Sequence, residues 1–208
     1  MKLMPRTSSI PWSLLATGGY EPVDADHSAA TTELRVGVLH YLRPRKRLGL
    51  LLHSLARIQS NVSVSIGGTG PDESRLKELS KSLGLKDKVK FLGRIAPGNH
   101  NDFWASVDIV LTLDRFPPLA LSTVQEAMMA GRPFIASGLG DSPYSVLPFG
   151  LVLGPDIVMD LKRAFDELDL NRGRVESMGS EARLFALQHF TKESVRRSLL
   201  LAYNSVHE

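Results

Sequence analysis

The 208-residue chain contains no cysteine. That excludes a disulfide scaffold, thiolate metal sites and a cysteine nucleophile, and it is neutral about compartment. Charge of one sign is also scarce, since 25 Lys and Arg face 22 Asp and Glu for a net +3. So small a surplus suits a chain that meets an anion in one place, and argues against nucleic acid as a partner. No run approaches the ~18 apolar residues of a membrane-spanning helix. The run Leu48 to Leu52 is short and is followed by His53 and Arg57. The leader MKLMPRTSSIPWSLLATGG is interrupted by Pro11 and Ser13, unlike the unbroken apolar core of a signal peptide. A cytoplasmic location is the default expectation, with peripheral membrane contact through the basic and apolar leader left open.

Several reaction motifs are missing as well. The six histidines (His27, His40, His53, His100, His189 and His207) show no metal-ligand spacing such as HExxH. No Gly-x-Ser-x-Gly elbow is present for a hydrolase. The glycine turn SIGGTGP, Ser65 to Pro71, has Glu73 where a dinucleotide fingerprint needs its third glycine, and no Gly-Lys-Ser/Thr follows. A nicotinamide or flavin site and a Walker site are both disfavoured.

What is present is an ordinary globular composition, 43% hydrophobic and 23% charged. Residues 1–33 lack a usable period and hold Pro5, Pro11, Gly18, Gly19 and Pro22, so they read as a loosely ordered linker or leader. From Leu34 short apolar runs alternate with amphipathic stretches. Strands are expected at 34–39, 62–66, 89–92, 107–113, 133–136 and 151–153. Helices are expected at 48–59, 72–83, 101–105, 122–130, 156–168, 174–189 and 192–206. Such alternation predicts βαβ units and an α/β fold: a doubly wound, Rossmann-like parallel sheet of about six strands with helices on both faces. The domain would span 34–190, and a C-terminal helix within 191–208 would pack back on it.

Three segments carry candidate chemistry. The strand ending in SIGGTGP, Gly68 included, lets backbone approach a phosphate at a helix N-terminus, or simply makes a tight strand-to-helix turn. The segment LRPRKRLG puts Arg43, Arg45, Lys46 and Arg47 between the first strand and first helix. Cations at a strand's carboxyl end suit a diphosphate, with Arg gripping bidentately and Lys acting as a point charge. The segment TVQEAMMAGRPFIAS places Glu126 early in a helix that stops at Gly131, before Pro133 and an apolar strand. That is the edge of an α/β sheet where ligands bind. Asp114 and Glu126 would make an acid/base pair only if the fold set them face to face, which spacing does not decide.

Together these segments resemble the C-terminal, donor-binding half of a GT-B glycosyltransferase, family 4 (glycosyl transferases group 1) in particular. VSVSIGGTGPDESRLKELSKSLGLKDKVKFLGRI follows that family's strand, Gly-x-Gly-Pro turn, helix and "FlG" strand, and QEAMMAGRPFIAS matches its "EAMA.G.PV.as". NDFWASVDIVL and GLVLGPD fit the segments in between and after, so the resemblance spans roughly Leu34 to Val206. It implies sugar transfer from a nucleotide-diphosphate sugar in glycan biosynthesis, retaining and without a metal or other cofactor, UDP- or GDP-linked donors being favoured. It implies Glu126 on the ribose, Lys46 with Arg43 or Arg45 on the diphosphate, and Arg94 and Ile95 beside the base. The stretch LDRFPPLALSTVQEA also resembles the protein O-GlcNAc transferase type, which would put Ser122 and Thr123 on the diphosphate.

Some positions depart from the family pattern. The family's first motif Glu is replaced by Pro118, the Gly-Arg after the first strand by His40-Tyr41, and the later Gly-Gly by Gly140-Asp141, with Tyr144 where a Glu is expected. The acceptor-binding half is expected from the rest of the protein or another subunit. The alternative is a degenerate, non-catalytic GT-B-like domain acting as a partner subunit or nucleotide-binding module. A flavodoxin-like or epimerase-type sandwich shares the layers but not the order of motifs.

Overall fold

The computed structural model describes residues 20–21, 32–114, 121–137 and 148–204. Pro118, Gly140, Asp141 and Tyr144 lie outside the described residues, as do most of 1–33. In chain order the elements are β1 (Leu34–Leu39), α1 (Leu48–Leu55), β2 (Val62–Gly67), α2 (Glu73–Ser82), β3 (Val89–Gly93), α3 (His100–Ala105) and β4 (Ile109–Thr112). Then follow α4 (Leu121–Met129), β5 (Phe134–Ser137), β6 (Gly150–Leu153), α5 (Ile157–Leu170), α6 (Arg172–His189) and α7 (Lys192–Asn204).

The six strands form one sheet in the order β3-β2-β1-β4-β5-β6, and every pair is parallel. This is a Rossmann-like doubly wound sheet, and the strand order reverses between β1 and β4. Parallel strands covered on both faces should be apolar throughout, and β4 is buried at all of its positions. Its residues alternate between two cores. Ile109 and Leu111 join Leu51, Leu55, Leu76, Leu161 and Phe165 from α1, α2 and α5. Val110 joins Trp104, Val124, Met128, Met178 and Ala182 from α3, α4 and α6. A strand's period of two therefore feeds both layers from one short run.

Helix α4 ends as its sequence dictates. Gly131 adopts φ 68, and the N–H groups of Gly131 and Arg132 donate to the carbonyls of Met128 (2.9 Å) and Ala127 (2.8 Å). That is a Schellman closure, which needs a left-handed residue at this point. The Arg132 guanidinium then turns inward and donates to the carbonyls of Trp104 (2.9 Å) and Ala105 (3.3 Å) at the end of α3. Burial lowers its pKa from the ordinary arginine value, with the neighbouring Asp108 working in the opposite direction.

Element boundaries differ from the expected ones in small ways. Helix α1 stops at Leu55, because Ala56 and Arg57 close a turn onto the carbonyls of Leu52 and Ser54. Val107 is not in β4, since its N–H bonds to Trp104 in the turn that leaves α3. At the chain's far end Tyr20 bridges Thr191 and Glu21 pairs with Lys192 at 2.6 Å, which ties these two residues to the start of α7. On α7 Ser194, Val195 and Ser198 are half-buried, while Leu199, Leu200, Leu201 and Tyr203 are exposed. Among the described residues no helix is long and apolar enough to cross a membrane.

Candidate functional site

A cavity of about 730 Å³ opens at the carboxyl ends of the strands, where the strand order reverses. Ligands of open α/β sheets bind at this position. The segment after β1 contributes His40, Tyr41, Arg43, Arg45 and Lys46; the β2 turn gives Gly68 and Thr69; the end of β3 gives Arg94 and Ile95. Across the reversal, α3 adds His100 and the first turns of α4 add Ser122, Thr123 and Glu126. Nine of the residues singled out in the sequence (Arg43, Arg45, Lys46, Gly68, Arg94, Ile95, Ser122, Thr123 and Glu126) thus line one cavity, although they come from four separate segments, while Arg47 and Asp114 do not line it.

The rim is basic. Arg43, Arg45 and Arg94 are exposed, and among the described residues no carboxylate pairs with them. The Arg43 guanidinium lies 4.7 Å from the centroid of the Tyr41 ring, a cation–π contact that orients it. Lys46 differs, being buried and ion-paired with the buried carboxylate of Asp114, two residues past the end of β4. It sits in a single 3-10 turn, Pro44–Lys46, that Pro44 starts. The turn is followed by Arg47 at φ 52, a left-handed position unusual for a residue other than glycine. The Arg47 side chain donates to the Leu113 carbonyl at 2.8 Å. The basic segment is therefore pinned to β4 at two adjacent points, through Lys46 and Arg47, and Arg47 faces the strand end rather than the cavity.

Gly68 lines the cavity, but its neighbours explain why it is glycine. It has φ 119, and a Cβ there would lie 1.8 Å from the carbonyl oxygen of His40. The β2 turn packs directly on the segment after β1, with Leu42 N–H donating to Thr69 O at 2.9 Å and Asp72 N–H to Leu42 O at 3.1 Å. The glycine turn serves first to dock these two loops and thereby builds the cavity floor.

His40 lies on that floor, buried, with Nε2 lacking any hydrogen-bond partner among the described groups. Burial, helped by the Lys46 charge, lowers its pKa to about 3. The ring is therefore neutral at physiological pH. At the opposite wall Glu126, a quarter exposed, is held by His100 through Nδ1 at 2.9 Å and by the Trp104 indole N–H at 3.4 Å. The Thr123 hydroxyl donates to the Leu39 carbonyl at 3.3 Å, which fastens the start of α4 to β1. Asp114 and Glu126 do not form a pair; each faces its own cation or histidine. No cluster of three or more His, Asp and Glu that could hold a metal ion occurs among the described residues.

His100 and Trp104 were not singled out in the sequence; His40 was noted only as a departure from the family pattern, and Asp114 only as one half of an undecided carboxylate pair. His100 and Trp104 stand one helical turn apart in HNDFW, and that was the only available signal. Their partner is a further 22 to 26 residues along the chain.

The doubly wound order and the basic cavity at its reversal define an α/β domain with an electropositive pocket at its strand ends. Residues 21–185 match the family model described as glycosyl transferases group 1, and the chain belongs to that family. It is 32% identical over 85 residues to mannosylfructose-phosphate synthase of Agrobacterium fabrum, covering 38% of this chain and 18% of that protein. It is 28% identical to D-inositol 3-phosphate glycosyltransferase of Rhodococcus opacus, covering 88% of this chain and 45% of that one. Among solved structures, Anabaena HepE in complex with UDP superposes with a TM-score of 0.75 over 84% of this chain and 49% of its own, at 23% identity. The structural neighbours are GT-B glycosyltransferases. The chain spans less than half the length of these curated relatives and about half of the solved one.

Proposed function

We propose that the chain is the donor-binding half of a retaining, metal-independent glycosyltransferase that uses a nucleotide-diphosphate sugar. The observation that carries this is the cavity at the strand reversal, where three exposed guanidinium groups (Arg43, Arg45 and Arg94), none paired with a carboxylate among the described residues, surround a space also lined by the Glu126 carboxylate. A diphosphate needs concentrated positive charge, and a ribose diol needs an ionised acceptor. Arg43, Arg45 and Lys46 hold the diphosphate, Ser122 and Thr123 meet it at the N-terminal turn of α4, and Gly68 gives it a close backbone. Glu126 takes the ribose hydroxyls, and Arg94 and Ile95 flank the base. As the glycosidic bond breaks, charge grows on the leaving diphosphate. Preorganised cations stabilise it there without a divalent ion.

The HepE complex supports UDP as the first nucleotide to try. Because the chain spans only part of its relatives, the acceptor half is assigned to the rest of the protein or to another subunit. Residues 1–33 serve as the connecting leader, 34–190 as the donor domain and 191–208 as the closing helix.

Calorimetric titration with UDP, GDP and ADP, with and without Mg²⁺, tests the proposal. Saturable binding of one nucleotide, unchanged by metal and weakened by about 1–3 kcal/mol in Glu126→Ala, is expected for loss of hydrogen bonds to a charged group. Absence of binding by all three overturns it in favour of a non-catalytic partner domain.

A further inference from the structure

Glu126 is carried by α4, yet both groups that hold its carboxylate come from α3. His100 Nδ1 lies 2.9 Å from Oε2, and the Trp104 indole N–H reaches the same oxygen at 3.4 Å. Among the described residues no group bonds Oε1. A carboxylate has about four lone-pair sites, so the arrangement occupies one oxygen and leaves the other open beside the cavity that Glu126 lines. With Nδ1–H committed to Glu126, the imidazole tautomer is set as well.

The donors are themselves immobilised. Trp104 is fully buried, with its ring 4.8 Å from that of Phe103 at an interplanar angle of 69°. Arg132, in the turn that ends α4, donates to the carbonyls of Trp104 and Ala105. Helix α3 is therefore locked to α4, the helix whose carboxylate it holds. A Glu side chain in a water-filled cleft would otherwise sample several rotamers and lose that freedom when it grips a ligand. A preordered carboxylate avoids this loss.

We propose that His100 and Trp104 are positioning residues that fix Glu126 through Oε2 and direct Oε1 at the ribose diol, so that selectivity for ribose over deoxyribose depends on His100. This rests on the donor-site proposal above. His100 acts through Glu126 and not by touching the diphosphate.

The test titrates UDP and 2′,3′-dideoxy-UDP into the wild type, His100→Ala, His100→Asn, Glu126→Ala and the Glu126→Ala/His100→Ala double variant, with thermal unfolding of each. His100→Ala should weaken UDP by about tenfold, the scale of one hydrogen bond to a charged group, and leave the dideoxy analogue unchanged. His100→Asn, whose amide nitrogen stands near the place of Nδ1, should restore most of the loss. His100→Ala should add nothing in the Glu126→Ala background. Equal UDP affinity in wild type and His100→Ala, or equal losses for both ligands, overturns the inference and leaves the donor site standing. A folded wild type that binds none of UDP, GDP and ADP overturns the donor site and this inference together.

Discussion

Lys46 and Asp114 form a buried ion pair behind the basic rim of the cavity. Taking two charges out of water is costly, and breaking such a pair by removing one partner typically costs about 3–5 kcal/mol. Asp114→Asn should lower the thermal unfolding midpoint, and added pyrophosphate should then raise it by more than it raises the wild type. Equal gains in the two proteins would show that Lys46 does not reach the anion.

His40 gives the chain an acid sensitivity of a particular shape. Its pKa falls from 6.5 to about 3 on folding, through burial first and the Lys46 charge second. Between those values the unfolded chain binds a proton that the folded chain does not, so this contribution to stability rises with pH across the window and is lost as pH falls. His40→Leu should flatten the pH dependence of urea unfolding between about 3 and 6.5. Asp108 acts lower on the scale. Burial would raise its pKa, but hydrogen bonds from Arg35 and the charges of Arg35 and Arg172 outweigh burial and bring it below 3.8. Its contribution is present above that value and fades beneath it, so the two effects separate on one titration.

Arg132 joins the end of α3 to the end of α4 by donating to two carbonyls, that of Trp104 buried and that of Ala105 partly so. Arg132→Ala should destabilise the fold by roughly 1–3 kcal/mol, the scale for leaving a buried acceptor unpaired. It should also weaken UDP binding, since α3 carries both groups that hold Glu126. Unchanged chemical denaturation would refute the linkage.

Gly68 leaves no room for a side chain. Its φ of 119 and the 1.8 Å approach of a Cβ to the His40 carbonyl make Gly68→Ala a backbone clash. A loss of about 2–4 kcal/mol is expected, on the scale of strain at a special backbone conformation, read by urea unfolding. A variant as stable as wild type would mean that the two loops are not docked as described.

The rim cations are exposed, so their pull on an anion should weaken as salt screens it within about 8–10 Å. Nucleotide affinity should fall as NaCl rises, and less steeply in Arg45→Ala than in the wild type. A salt-independent affinity would place the anion elsewhere.

The alternation of short apolar runs with amphipathic stretches was enough to specify six parallel strands and the helices around them. A buried parallel strand needs continuous apolar sequence, as in Ile109 to Leu111, and a surface helix needs only one apolar face. Gly131 and Pro133 likewise announced the end of α4, because left-handed closure and a missing N–H are local properties of those residues. The basic segment at Arg43 to Arg47 and the carboxylate at Glu126 were visible for a similar reason, as charges placed next to strand and helix ends. What sequence could not supply was which charge meets which. The link from Lys46 to Asp114 spans 68 positions and that from His100 to Glu126 spans 26. No period or propensity relates residues that far apart. Only the packing of β1 beside β4, and of α3 against α4, commits Lys46 to a partner, turns Arg47 away from the cavity and leaves one oxygen of Glu126 open to it.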